Sequence, residues 1–461
     1  MLFNTPVFIL FFLLVVPLSF LVPRRWQNFV LLAASYVFYG FSDPKLVFLL
    51  LGVTLSAYFA GLGIRRLPGQ RVLWKSLGIA APFMLLFVFK YSGFVLRLFT
   101  LLFGGTVPEI LSDLILPTGI SFYTFQALSY VIDVDRGTLE AEKSLSDLAL
   151  YLSFFPQLVA GPIERAGDLL PQIKKSRAFD PAMAVQGLKT MLTGFFEKIA
   201  VADILGLFVN RIWGDLSAAS GADVLLASFF FSLQILCDFK GYSDIARGAA
   251  GVLGIRLSVN FDKPYRSVSV GEFWRRWHIT LSSWFRDYLY IPLGGGHGNF
   301  RKWARNLLIV FLLSGLWHGA DLTFVAWGFV HALFQIIEKV LFRDRKGPKA
   351  LRQLLTFLAV NFAWVLFRAP DFTQAGFFFS RLFGGWQLFS LNASAAELLL
   401  FALAVFSFWF FSRMPAYFAG PGPIKRTLRY SSYVLLLWLT LAAYLYLRSG
   451  GIQSSFIYFR F

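Results

Sequence analysis

Long apolar runs, most of them close to one bilayer in depth, alternate along the chain with short polar turns. They lie near residues 5–22, 27–42, 45–64, 76–103, 185–213, 223–239, 303–320, 322–342, 351–369, 396–412 and 430–448. A helix needs about 20 apolar residues to cross a bilayer core, so the pattern predicts about eleven transmembrane helices. Two further stretches are apolar but interrupted: 114–134 by Pro117 and Gly119, and 145–162 by Pro156 and Pro162. Re-entrant or interfacial helices suit them better, because broken backbone is tolerated at membrane depth only where protein or a cavity surrounds it. The expected fold class is therefore an all-α polytopic membrane protein.

Composition sharpens this reading. Of 461 residues 57% are hydrophobic and only 15% charged, against roughly a quarter charged in soluble domains. The 55 Phe, 13 Trp and 17 Tyr exceed what a solvated surface accepts. Neither a collagen-like, a disordered nor a coiled-coil class fits. The net charge of +18 is what basic cytoplasmic loops facing anionic lipid produce, so no nucleic-acid partner is expected. A single Cys237 excludes internal disulfides and cysteine metal sites. Arg24 and Arg25 follow the first apolar run rather than precede it, which marks a retained span and not a signal peptide.

Loop charge sets an orientation. Arg24 and Arg25 follow the first run, and Arg65, Arg66, Arg71 and Lys75 follow the third. Arg343, Arg345, Lys346, Lys349 and Arg352 form another basic loop, as do Arg413, Lys425, Arg426 and Arg429. Placing these loops in the cytoplasm leaves both termini outside. With no internal repeat and no soluble appendage in view, residues 1–461 read as one integral domain. Its motif core lies at about 238–332 and its external tail at 449–461.

Chemistry concentrates between 238 and 305. Trp274, Arg275, Arg276 and Trp277 read as an interfacial helix, with rings at headgroup level. Asp238 and Lys240 end an apolar run, where ionisable groups need partners or a cavity. Mutual pairing of Asp238 with Lys240, or of Asp244 with Arg247, is the structural explanation. Among the four histidines, His297 reads as a turn residue and His331 as one bonded to a neighbouring helix. His278 closes WRRWH and is open to a structural, anion-binding or catalytic role. His318 lies twelve residues beyond Asn306, a rise of ~18 Å that puts an imidazole deep in the membrane. There function is the default reading, and a neutral imidazole is a good general base. No GxSxG, HExxH, P-loop or CxxC motif occurs, and the histidines lack metal-ligand spacing.

The segments DFKGYSD (238–244), NFDKPYRS (260–267), EFWRRWHITLSSWFRDYLYIPLGG (272–295) and SGLWHGADLTFVAWGFVHA (314–332) resemble the membrane-bound O-acyltransferase (MBOAT) family. The likeness is strongest to its bacterial branch typified by the alginate O-acetyltransferase. SYVFYGFSDP (35–44) and QLVAGPIER (157–165) extend it over most of the chain. One departure is Lys240, where the family often carries a small residue.

The resemblance implies an acyl group, most simply acetyl, taken from a cytoplasmic thioester and delivered to hydroxyls of an exported polysaccharide such as alginate. Acetyl-CoA or another acyl thioester is the implied donor substrate, with no bound cofactor and no metal. An external SGNH-type acyltransferase is the implied partner, and the bacterial inner membrane the implied location. His318 is then the catalytic residue and His278 the second family histidine, on the cytoplasmic side. Asp238, Lys240, Arg275 and Arg276 are candidates for a donor path. The ending FIYFRF (456–461) resembles a short C-terminal motif of this branch, which makes Tyr458 either an acyl relay or an aromatic interfacial anchor. D-alanyl transfer to teichoic acid remains the enzymatic alternative, and a transporter or lipid flippase the non-enzymatic one.

Overall fold

A computed structural model describes residues 1–104, 116–341, 347–384, 386, 391–417, 422–452 and 456–457. Tyr458, Ser454 and the basic residues Arg343, Arg345 and Lys346 lie outside the described residues. Every regular element among the described residues is helical.

Six described helices are long and apolar enough to cross a membrane: Leu46–Arg66, Pro68–Phe103, Gly221–Val252, Leu322–Leu341, Lys349–Arg368 and Pro423–Ser449. Pro6–Leu21 and Ala395–Phe411 are shorter apolar helices. Other expected crossings are helical but carry charge. The run at 185–213 becomes Pro181–Phe195, a π-turn over Phe196–Asp203 and Ile204–Gly214, with Glu197, Lys198 and Asp203 inside it. The run at 303–320 becomes Phe300–His318, whose first turns hold Arg301, Lys302 and Arg305.

Burial follows the pattern of a protein solvated by lipid. Leu10, Leu13, Phe48, Phe103 and Trp438 are exposed, whereas Asp238, Glu197, Lys198, His278 and His318 are buried. A water-soluble fold has the reverse arrangement. Six such helices with lipid-type outer surfaces describe a multi-pass membrane protein.

The chain divides into two compact units: Met1–Leu188 with Ala246–Val259, and Lys189–Ile245 with Asn260–Phe461. In the first, Leu46–Arg66 packs on Arg71–Leu86 and on Ile120–Arg136. Residues 120–131 are buried all round, so this broken segment is enclosed by protein, as its backbone requires. Glu164, from the QLVAGPIER segment, accepts from the Ser258 amide at 2.6 Å and its hydroxyl at 2.9 Å. In the second unit, Phe300–His318 and Leu322–Leu341 form an antiparallel pair joined by a tight turn, and Lys349–Arg368 packs against the latter.

One boundary corrects the sequence expectation. The helix from Gly221 continues to Val252 instead of ending near 239. Asp238, Lys240 and Asp244 therefore sit in its interior, where their charge suggested a loop.

Candidate active site

Two glycine crossings build the site. Gly315 and Gly328 meet where Phe300–His318 passes Leu322–Leu341. A Cβ on Gly315 would lie 2.2 Å from the Phe324 carbonyl oxygen, and one on Gly328 would lie 2.1 Å from that of Phe311. Side chains are excluded there, so the backbones approach closely and His318, the last residue of its helix, is drawn inward. The second crossing is Gly194 against Gly241, where a Cβ on either would come within 2.7 Å of the other's carbonyl oxygen. It brings Glu197 and Lys198 beside Asp238 and Lys240.

His318 is enclosed by rings. Trp327 lies at 5.0 Å nearly perpendicular, Phe367 at 5.6 Å and Trp317 at 5.0 Å. The His278 ring is 6.5 Å away, centroid to centroid. Sequence reasoning set His278 at an interface on the cytoplasmic side. The structure corrects the interfacial part of this reading: His278 is 0% exposed and its ring adjoins that of His318. Trp274 and Trp277 are buried within protein too, so their rings do not face lipid headgroups. The cause is a reversal of the backbone. His278 adopts the left-handed conformation at φ +43°, costly for a residue with a Cβ. The segment then turns back, with Asp262 N donating to Arg276 O and Ile279 N to Asn260 O.

Asn260, not singled out from sequence, organises this turn. Its Oδ1 accepts from Thr280 N at 3.2 Å and Thr280 Oγ1 at 2.8 Å, and lies 3.3 Å from His278 Nδ1. The Thr280 amide can only donate, so Oδ1 is the acceptor and the His278 proton resides on Nδ1. Burial pushes the His278 pKa down to about 3, so the ring is neutral near pH 7 with its lone pair on Nε2. A parallel argument treats His331. Trp274 Nε1 donates to His331 Nδ1 at 3.2 Å, which matches the expected interhelical bond.

The charged candidates separate. Asp238 and Lys240 do not pair with one another, which corrects that expectation. Asp238 bonds Lys198, which also bonds Asp203 at 2.8 Å. Lys240 bonds both Glu197 oxygens at 2.7 and 2.8 Å, and Asp244 at 2.7 Å. An i, i+2 pair points to opposite sides of a helix, so each charge takes partners from the neighbouring helix or one turn on. Asp238 Oδ2 also accepts from Ile457 N at 2.8 Å. Phe456 packs on Tyr242 at 4.8 Å and on Phe239 at 5.7 Å, and Phe239 meets His278 edge-on at 4.6 Å. The residues just before Tyr458 are thus one ring away from the histidine pair.

A cavity of about 480 Å³ runs beside Phe300–His318, lined by Trp274, Arg275, Arg286, Leu307, Phe311 and Ser314 among others. Leu307, Phe311 and Ser314 share one helix face, and the next position on that stripe is His318. Arg275 belongs to this lining, whereas Asp238 and Lys240 do not. Arg276 faces away and pairs with Glu272 at 2.8 Å.

Comparison with known proteins gives the family. The profile of MBOAT, the membrane-bound O-acyltransferase family, matches residues 141–375. The chain is 39% identical to "Probable alginate O-acetylase AlgI" of Pseudomonas syringae pv. tomato over 407 residues, 86% of this chain and 78% of that protein. The chain belongs to the membrane-bound O-acyltransferase family. Another relative, the peptidoglycan O-acetyltransferase of Helicobacter pylori, is 34% identical over 87% of this chain and 83% of its own. The teichoic acid D-alanyltransferase of Bacillus subtilis is 28% identical over 55% and 69%. This MBOAT chain is accordingly an enzyme, an O-acyltransferase.

Proposed function

We propose that this O-acyltransferase moves acetyl from a cytoplasmic thioester, acetyl-CoA or another, toward hydroxyls of an exported cell-surface glycan. The observation that carries the reading is the buried His278–His318 pair, 6.5 Å apart, beside a cavity with arginines in its lining. Arg275 and Arg286 would attract the donor's phosphates, and the apolar face of Leu307 and Phe311 suits a slender pantetheine arm. His318 acts as general base on the incoming hydroxyl. Its oxygen bonds to the thioester carbonyl carbon, the C–S bond breaks, and the thiolate leaves with the proton His318 took.

Tyr458 serves as a relay in this reading. Its phenol takes the acyl group as an ester and releases thiol, and an external SGNH-type partner passes the acyl group to the glycan. Support comes from the burial of Phe456 and Ile457 within protein, which an interfacial anchor would not need. Alginate, as in the Pseudomonas relatives, is the first acceptor to test. D-alanyl transfer is less favoured, since those relatives align over a smaller share of the chain. About eleven crossings in a bacterial inner membrane, with both termini outside, complete the proposal.

Two variants test it in purified protein given acetyl-CoA, glycan and partner. His318→Ala should lower transfer by ~10²–10⁴ while the melting temperature holds. Tyr458→Phe should keep slow thioester hydrolysis and lose glycan acylation. Near-normal transfer by a folded His318→Ala protein would overturn the assignment of the base, and wild-type acylation by Tyr458→Phe would overturn the relay.

A further inference from the structure

Far from the histidines in sequence, the first unit holds a groove of about 680 Å³ along the helix Arg71–Leu86. Its polar lining lies at one end: Arg71, Lys75, Ser76 and Asp135. Its apolar lining lies beyond, with Ile79, Ala80 and Phe83. Arg71 and Lys75 are one turn apart on the same face, and both bond Asp135, at 2.7 and 2.8 Å. The Asp135 side chain is 10% exposed, against 53% for Arg71 and 42% for Lys75. The carboxylate is therefore the floor and the cations are the rim. Two positive charges against one negative leave a single positive charge facing outward.

The dimensions fit a lipid. From Arg71 to Phe83 is twelve residues, a rise of ~18 Å, close to the ~15 Å of one leaflet's hydrocarbon. Next to the groove on the same helix, Gly78 is pressed against neighbouring helices, where a Cβ would meet that of Ala60 at 2.4 Å. The groove face is instead open, with Val72 and Phe83 more than half exposed.

We propose that this groove holds one anionic phospholipid of the surrounding bilayer. Its phosphodiester bridges Arg71 and Lys75, the Ser76 hydroxyl lies at the headgroup end, and an acyl chain follows Ile79, Ala80 and Phe83. A monoanionic headgroup matches the residual single charge. A zwitterionic lipid brings its own cation to that rim and gains less.

The test uses the full chain in detergent, with bound lipid counted by native mass spectrometry. Phosphatidylglycerol should bind roughly tenfold more tightly than phosphatidylcholine, as expected for one or two interfacial cations. Arg71→Gln with Lys75→Gln should erase that preference. Asp135→Asn distinguishes the lipid site from a plain ion-pair clamp, and it keeps the proposal testable if the double variant does not fold. Removing the competing carboxylate should preserve or tighten phosphatidylglycerol binding, although it breaks both ion pairs. Equal binding of the two lipids, an unchanged preference in the folded double variant, or a preference lost in Asp135→Asn would overturn the proposal. So would glycerol 3-phosphate binding as tightly as the lipid, since a small-anion site needs no groove.

Discussion

The helices Pro68–Phe103 and Gly221–Val252 are both long, strongly apolar and able to cross a bilayer. In the first, 17% of the most apolar stretch is buried within protein; in the second, 78% is. The first presents Leu101, Leu102 and Phe103 outward, and its cations at the groove rim bind a carboxylate on the groove floor. The second carries Asp238, Lys240 and Asp244 inside its span, each met by an opposite charge. Hydropathy alone does not distinguish them. The price of burying charge is accepted only where function or architecture needs it, and the buried ionic helix is the one whose Phe239 packs on His278.

The sharpest way to break this contrast is to unpair the buried helix. Lys198→Met leaves Asp203 and Asp238 close together without their shared cation. Losing one partner of a buried pair costs roughly 3–5 kcal/mol, so the detergent melting temperature should drop more than for any substitution on Pro68–Phe103. A thermal melt that overlays the wild type would show that the network carries no structural weight.

How far the sequence reveals such contrasts depends on the residue. Uninterrupted runs located Leu46–Arg66, Leu322–Leu341 and Lys349–Arg368 to within about two residues, because apolar length alone defines a span. Gly221–Val252 was cut short because Asp238 and Lys240 resemble a helix end unless their partners are known. Those partners, Glu197 and Lys198, lie some forty positions away. Charges within the run 185–213 were the available signal. WRRWH was visible as a motif, but the burial of its Trp and His side chains was not. Trp and Arg together fit an interface equally well until the left-handed turn at His278 and its bond to Asn260 are seen.

Asn260 supplies an intermediate effect. In the wild type the low His278 pKa, about 3, keeps its titration away from neutral pH. Asn260→Asp sets a carboxylate one hydrogen bond from Nδ1, which favours imidazolium and raises that pKa. Activity should then gain an acid limb that moves to higher pH, because protonated His278 has no Nε2 lone pair. Asn260→Ala should lower rate and stability without that limb. A pH profile of Asn260→Asp that superimposes on the wild type would remove Asn260 as the residue positioning His278.

The smallest effect belongs to the lipid-facing helix. Leu101 is 76% exposed, and its neighbours Leu102 and Phe103 are 67% and 74% exposed. In water such a surface would be an aggregation site. In a bilayer it meets acyl chains as apolar as itself, so there is little to lose when it is trimmed. Leu101→Ala removes three carbons from a position that fills no protein cavity, and the cavity penalty of a core truncation does not arise. Its melting midpoint should match the wild type, within the ±0.5 kcal/mol typical of surface changes, and thioester turnover should be unchanged. A loss of ~2 kcal/mol or more would mean that this face is packed against protein in the membrane. The exposed apolar helix would then be an interface, and its contrast with Gly221–Val252 would become one between two kinds of protein contact.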